Sequence, residues 1–271
     1  MIIAKCWNTL REFVGDETFV EHSDAIEQEM LPLYELMQDP SGIDFDEDIL
    51  LFVMTSIKHT RRVSAVQWHL LPHLANFYRK YRTTFGMLLR VYSYFTVFGA
   101  EELKAMPLEE SSPLSHLLHV SVEVLVDQKS KEQCLTNAEG ALMISLLLKW
   151  IKVNPDKGIT LPSLGMLLDN TFGRMTNQPL TDFLKRALIN TVMSAFEASP
   201  AMTATYLEEK GLSTDFMVTA ESVVGMFKFP EERKLFVRGL LAIMECGSLP
   251  PSFVTNHTRT VLELTVIALQ A

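Results

Sequence analysis

The side chains best suited to chemistry are histidines spaced for one helix face. His69 and His73 lie four residues apart in the run WHLLPH, and a second pair spans residues 116–119. Such spacing can place two imidazoles beside one metal ion. A zinc-protease motif also needs a glutamate after the first histidine, but Leu70 stands there and Pro72 is expected to disturb the turn. No nearby acid or cysteine completes a site at either pair, so both are interpreted as structural histidines.

Other chemical signatures are missing from the sequence. It contains no GxGxxG, GxxxxGK[ST], CxxC or GxSxG motif, which argues against the common phosphate, zinc and nucleophile sites. Adjacent glutamates occur at residues 101–102, 109–110, 208–209 and 231–232. They are expected to be solvated, whereas general acid catalysis needs a carboxyl group whose pKa is raised by burial. The sequence therefore predicts no enzyme activity, no cofactor and no metal site.

Composition and periodicity predict helices throughout the chain. Hydrophobic residues make up 48% of its 271 residues and charged residues 21%, with twelve glycines and twelve prolines. The clearest apolar stripe runs from Leu180 to Phe196, with Arg186 and Asn190 on the opposite side. Another helix is expected after Pro230, because the acids of its first turn favour a helix start. This helix is predicted to stop at Gly247 and Pro250-Pro251.

The order of these helices indicates a repeat protein. Helices are predicted to begin near residues 2, 18, 45, 63, 84, 113, 132, 160, 180, 201, 213, 231 and 253. Taken as antiparallel pairs, they recur roughly every 40 to 50 residues, the period of HEAT and armadillo arrays. The predicted fold is an all-α, right-handed superhelical solenoid forming one array over residues 1–271. A compact helical bundle is the alternative.

Charge is unevenly distributed along the chain. The formal net charge of −9 argues against nucleic acid as a partner, since phosphate binding needs a basic surface. Acids dominate up to Asp48, whereas bases alone occur from Arg61 to Arg90. These runs form either an acidic patch beside a basic one or two solvated faces. The acidic residues chosen as candidate partner-binding positions are Asp16, Glu17, Glu21, Asp44, Asp46, Glu47 and Asp48.

Cysteine usage and hydropathy predict an intracellular protein. Cys6, Cys134 and Cys246 are odd in number and far apart, which is not a disulfide framework. The first residues lack the pattern of a signal peptide. The longest apolar run, residues 141–148, is shorter than the roughly 20 residues that cross a bilayer, so no membrane association is expected.

Two segments resemble a known family. The first, residues 64–103, contains a W-x-L-L-P core at Trp68 to Pro72, followed by an aromatic pair at residues 77–78. The second, residues 229–253, has a basic pair before a V-x-G-L-x-A-I run that includes Gly239. Both are similar to late HEAT repeats of the importin-β superfamily, or karyopherins, in the importin seven and eight branch.

The resemblance implies a nuclear transport receptor of the cytoplasm, nucleus and nuclear pore. Its expected partners are basic protein cargo, attracted to the acidic residues, and Phe-Gly nucleoporins, held in apolar grooves between outer helices. The family contacts Ran GTPase through amino-terminal repeats that have no counterpart here. Such receptors are several times longer, so the chain is expected to be a C-terminal fragment. The alternatives are a HEAT scaffold subunit of an enzyme complex and an all-α enzyme with an unrecognised site.

Overall fold

A computed structural model describes residues 17–35, 46–81, 85–106, 112–129, 132–154, 161–177 and 180–270. Within these ranges the chain forms thirteen helices and no strand, which confirms the all-α prediction. The helices are α1 Glu17–Glu35, α2 Asp46–Thr60, α3 Ala65–Tyr81, α4 Gly86–Phe98, α5 Ala100–Ala105, α6 Pro113–Val126 and α7 Gln133–Val153. They continue with α8 Leu161–Thr176, α9 Asp182–Ala198, α10 Pro200–Glu209, α11 Ser213–Val224, α12 Pro230–Glu245 and α13 Pro251–Gln270.

The chain divides into two compact units, and the boundary lies within α6, after Val120. The first unit carries α1 to α5 and the start of α6. The second carries the end of α6 and α7 to α13. The expectation of one continuous array over residues 1–271 stays a prediction.

Aromatic side chains pack the helices of the first unit. Phe52 of α2 meets Phe19 of α1 edge-on, with ring centroids 6.2 Å apart, and also contacts Tyr34. Trp68 of α3 packs against Phe95 of α4 at 5.1 Å, again nearly perpendicular. Edge-on geometry suits aromatic rings because the positive edge of one faces the negative face of the other. The tryptophan of the W-x-L-L-P segment therefore has a packing role.

The second unit is organised around α9, in which every residue from Arg186 to Glu197 is buried. The α7 helix lies along one side of it. Ser145 of α7 contacts Thr191 at 3.2 Å, and Lys152 donates to Glu197 at 2.9 Å. Residue numbers rise together along both helices, so α7 and α9 are parallel. The two pairs are separated by 46 and 45 residues in sequence.

The α12 helix lies along another side of α9 in the same register. Arg186 Nε lies 3.4 Å from Glu232 Oε1, a pair also separated by 46 residues. Further along, Gly239 packs directly against the backbone of Met193. Thus α7 and α12 are both parallel to α9, and the hydrogen-bonded pairs across these contacts are separated by 42 to 50 residues in sequence. These separations fall within the roughly 40-to-50-residue period predicted from sequence.

Phe196 of α9 joins the central helix to its remaining neighbours. Its ring centroid lies 5.8 Å from that of Phe216 in α11 and 5.9 Å from that of Phe253 in α13. Phe216 in turn contacts Phe172 of α8 at 6.4 Å. These rings are buried, and they hold α8, α11 and α13 against the parallel helices.

The α7 helix is long and apolar enough to cross a membrane by length and composition alone. It contains 21 residues, although its longest uninterrupted apolar run is shorter. Of the most apolar 18-residue window of this helix, 67% is buried inside the fold. Its position along α9 gives a packing reason for its hydropathy, because a helix surrounded by others is apolar on several faces.

The predicted helix starts in the described ranges agree with the structure within two residues, and the start near residue 2 lies outside them. The predicted stop after α12 also agrees, because this helix ends at Glu245, before Gly247. The short helix α5 was not predicted; it follows Gly99, where a Cβ atom would lie 2.5 Å from the Trp68 ring. Pro72 lies inside α3, which continues through it.

Candidate functional site

The predicted acidic partner-binding residues lie on α1 and at the start of α2. Glu21 and Glu47 are exposed and Asp48 is half-buried. The backbones of Glu17 and Asp46 are helical, whereas Asp16 and Asp44 lie outside the described residues. Asp24, also on α1, forms an ion pair at 2.8 Å with Arg62 of the turn after α2. The cargo-binding role of the acidic set stays a prediction.

The histidine pairs do not form a metal site in the described part of the chain. The rings of His69 and His73 are 6.1 Å apart on α3, but no group of three potential ligands occurs among the described residues. His257 of α13 instead lies 3.8 Å from Glu208 of α10 and is buried. On α6, Ser115 Oγ lies 3.3 Å from His119 Nδ1, an exposed contact between neighbouring turns of one helix.

A buried polar cluster, which the sequence analysis missed, joins α1, α2 and α3. Glu27 Oε1 accepts hydrogen bonds from Ser56 at 2.5 Å and from Gln67 Nε2 at 2.6 Å, and all three side chains are buried. Burial raises the pKa of the Glu27 carboxyl group, while the hydroxyls of Ser56 and Ser64 oppose that rise. Because the Glu27 side chain is buried and bonded to α2 and α3, the cluster joins the three helices.

A second buried cluster closes the gap between α6, α7 and α8. Asn137 donates to the carbonyls of Val124 and Asp127 at 2.8 and 3.0 Å, near the end of α6. Its own oxygen accepts from Arg174 Nε at 2.6 Å. Arg174 is buried, and this desolvation lowers the pKa of its guanidinium group. Both residues satisfy polar atoms at helix ends, which is a structural role.

An apolar groove opens between α12 and α13 and is the strongest candidate for binding. Ile243, Phe253 and Val261 form its buried floor. Its rim carries the exposed side chains of Val254 and Leu262, together with Met244, Cys246, Leu249 and Thr258. The groove has a volume of about 380 Å³, within the roughly 300–1,000 Å³ of small ligand sites. Its lining suits apolar side chains.

The floor of this groove is fixed by packing behind it. The Phe253 ring lies 5.9 Å from Phe196 of α9 and 5.1 Å from the His257 ring. The turn after Glu245 and Pro251 at the start of α13 place Phe253 at this junction. A floor held by aromatic contacts needs little ordering when a ligand enters, which favours binding.

The exposed apolar surface continues along α13. Leu262 is 51% exposed, and Val266, Ile267 and Leu269 are exposed beyond it. A second groove, of about 400 Å³, is lined by Leu262, Leu264, Val266 and Ile267, with Glu221, Thr260 and Glu263 at its edges. Contiguous apolar surface of this kind marks interaction sites in folded proteins. We call the two grooves together the α13 surface.

Sequence reasoning expected apolar grooves but could not place them. Met244 is 40% exposed at the groove rim. A usable signal was present in α13, whose apolar residues cover more than the one face that an amphipathic helix needs. Residues 261–269 alone include Val261, Leu262, Leu264, Val266, Ile267, Ala268 and Leu269.

Comparisons with protein-family models, with curated proteins and with solved structures give no match to this chain.

Proposed function

We propose that this chain is a protein-binding, HEAT-type segment of a nuclear transport receptor and has no enzymatic activity. The observation that carries the binding role is the α13 surface, where two apolar grooves flank one helix. A protein that hydrolyses or transfers groups needs a nucleophile, base or metal in a cleft. The two grooves of the α13 surface are lined mostly by apolar side chains, which suits the binding of apolar groups.

The HEAT architecture in this proposal is supported by the common register of α7, α9 and α12. In a stacked array each repeat contacts its neighbours through equivalent positions, so contacting residues differ by one repeat length. The pairs Ser145–Thr191 and Arg186–Glu232 both differ by 46 residues. A compact bundle with antiparallel neighbours would pair residues whose numbers run in opposite directions.

The transport role rests on the two segments that resemble karyopherins. Their distinctive residues have packing roles: Trp68 contacts Phe95, and Gly239 lies against Met193. In this proposal Phe-Gly repeats insert phenylalanine rings into the α13 surface. Basic cargo binds the acidic residues of α1 and α2, where Glu21 and Glu47 are exposed. Opposite charge would mainly speed cargo encounter and make it sensitive to salt.

The test is binding to immobilised Phe-Gly repeat peptide, with a Ser-Gly peptide as the ligand control. A double substitution, Val254→Ser with Leu262→Ser, is expected to weaken Phe-Gly binding at least about tenfold, since each apolar contact contributes roughly 1 kcal/mol or more. The matched control is Val218→Ser on α11, a 61% exposed valine outside both grooves. It is expected to leave binding unchanged.

Cargo binding is measured separately with a basic, ribosomal-type protein at low and high salt. Glu21→Lys with Glu47→Lys is expected to weaken this interaction, most clearly at low salt. Phe-Gly binding that is equal in wild type and in the Val254/Leu262 double variant would refute the assignment to the α13 surface. A folded protein that binds neither ligand, yet co-purifies with an enzyme, would identify a non-transport scaffold instead.

A further inference from the structure

A third groove crosses the three parallel helices on the other flank of α12. It lies over the C-terminal part of α9, between α7 and α12, and has a volume of about 390 Å³. Its lining consists of Lys149, Lys152, Val153, Glu197, Arg238, Leu241, Ala242 and Glu245. Leu241 and Ala242 face this groove, whereas Ile243 and Met244 line the apolar groove between α12 and α13. The two grooves are therefore separate surfaces.

The charges of this parallel-helix groove favour an anionic partner. Lys152 donates to the buried Glu197 at 2.9 Å, so these two charges compensate each other. Lys149 and Arg238 have no carboxylate partner among the described residues. Glu245 is the remaining acid of the lining. The groove thus carries a small excess of positive charge on a chain whose net charge is −9.

Exposed apolar side chains lie among these bases. Val153 is 69% exposed and Leu241 is 41% exposed, and both line the groove. Burying these apolar side chains against a partner is favourable in free energy. The neighbouring bases would form ion pairs with carboxylates of the partner. A nucleic acid would satisfy the bases but not the valine and leucine. A membrane surface is flat and does not fill a groove.

We propose that this groove binds a segment of a partner protein in which acidic residues alternate with large apolar side chains. The partner's carboxylates face Lys149 and Arg238, and its apolar side chains cover Leu241 and Val153. This proposal rests on the groove lining and not on the transport role. It also differs from the proposed binding of basic cargo, which involves the acidic helices α1 and α2.

The proposal is tested by fluorescence anisotropy with a short labelled peptide in which glutamate alternates with leucine. Its counterpart with lysine in place of glutamate is the charge control. We expect saturable binding of the glutamate peptide only. The double variant Lys149→Glu with Arg238→Glu is expected to weaken it at least about tenfold, because like charges then face each other. Raised salt is expected to weaken it too.

Two further variants test whether the peptide occupies this groove. Lys149→Arg with Arg238→Lys keeps the charge and is expected to retain binding, and thermal melts check that every variant is folded. Leu262→Ser, in the α13 surface, is also expected to retain it. Absence of binding, equal binding of the lysine peptide, or an unchanged affinity in the charge-reversed variant would overturn the proposal. Loss of binding with Leu262→Ser would place the peptide on α13 and overturn it as well.

Discussion

Gly239 offers a direct test of the close approach between α9 and α12. A Cβ atom at this position would lie 2.7 Å from the Met193 carbonyl oxygen and 2.8 Å from Met193 Cβ and Sδ. Favourable contact between carbon atoms needs roughly 3.5–4.0 Å. The sulfur can move, but the carbonyl oxygen and Cβ move only with α9 itself. Gly239→Ala is therefore expected to push the two helices apart.

The magnitude follows from two opposing effects. Alanine in a helix interior is more favourable than glycine by about 1 kcal/mol. Overpacking a close-packed site costs about 1–3 kcal/mol. Gly173 of α8 is the matched control, because a Cβ there meets no atom within 4 Å. Gly173→Ala is expected to gain the same helix propensity without creating a steric clash. The difference between the two variants therefore isolates the cost of separating the helices.

The assay is thermal unfolding followed by circular dichroism at 222 nm, the band that reports α-helix content. A free-energy change of 1 kcal/mol shifts Tm by roughly 2–4 °C for a domain of this size. Gly239→Ala is thus expected to melt at least about 2 °C below Gly173→Ala. If Gly239→Ala melted at or above the control, the close contact with Met193 would be refuted. The parallel packing of α9 and α12 would then lose its main steric support.

Two further substitutions test the buried polar clusters. The pKa of Glu27 is raised in the folded protein, so folding favours the protonated carboxyl group. This contribution to stability is fully present below the ordinary pKa of 4.5 and is lost as pH rises through the folded-state pKa. Glu27→Gln removes the charge but keeps an acceptor for Ser56. It is expected to raise Tm at neutral pH and to lose that advantage near about pH 4; a pH-independent difference would contradict this. Arg174→Met leaves the buried Asn137 oxygen without its 2.6 Å donor, and urea unfolding is expected to show a loss of about 1–3 kcal/mol. Arg259→Met, at a 90% exposed side chain, is the control and is expected to leave the urea midpoint unchanged.

The sequence by itself determined the helical class and most helix positions. Proline and acidic residues mark the start of α12 at Pro230, and the apolar period marks α9. These signals are local, since they depend on backbone caps and on the 3.6-residue turn. The repeat array itself stays a prediction. The 46-residue separation of the Ser145–Thr191 and Arg186–Glu232 pairs lies within the predicted period of roughly 40 to 50 residues.

Tertiary structure alone decided which faces are covered. Arg186 and Asn190 were placed opposite the apolar stripe of α9, yet both are buried because α12 covers them and offers Glu232 as a partner. Leu262 belongs to an equally apolar helix and is exposed, because no described helix covers that side of α13. Periodicity establishes which side chains share a face of one helix. Whether that face meets a neighbouring helix or solvent depends on residues far away in sequence, as Arg186 and Glu232 show.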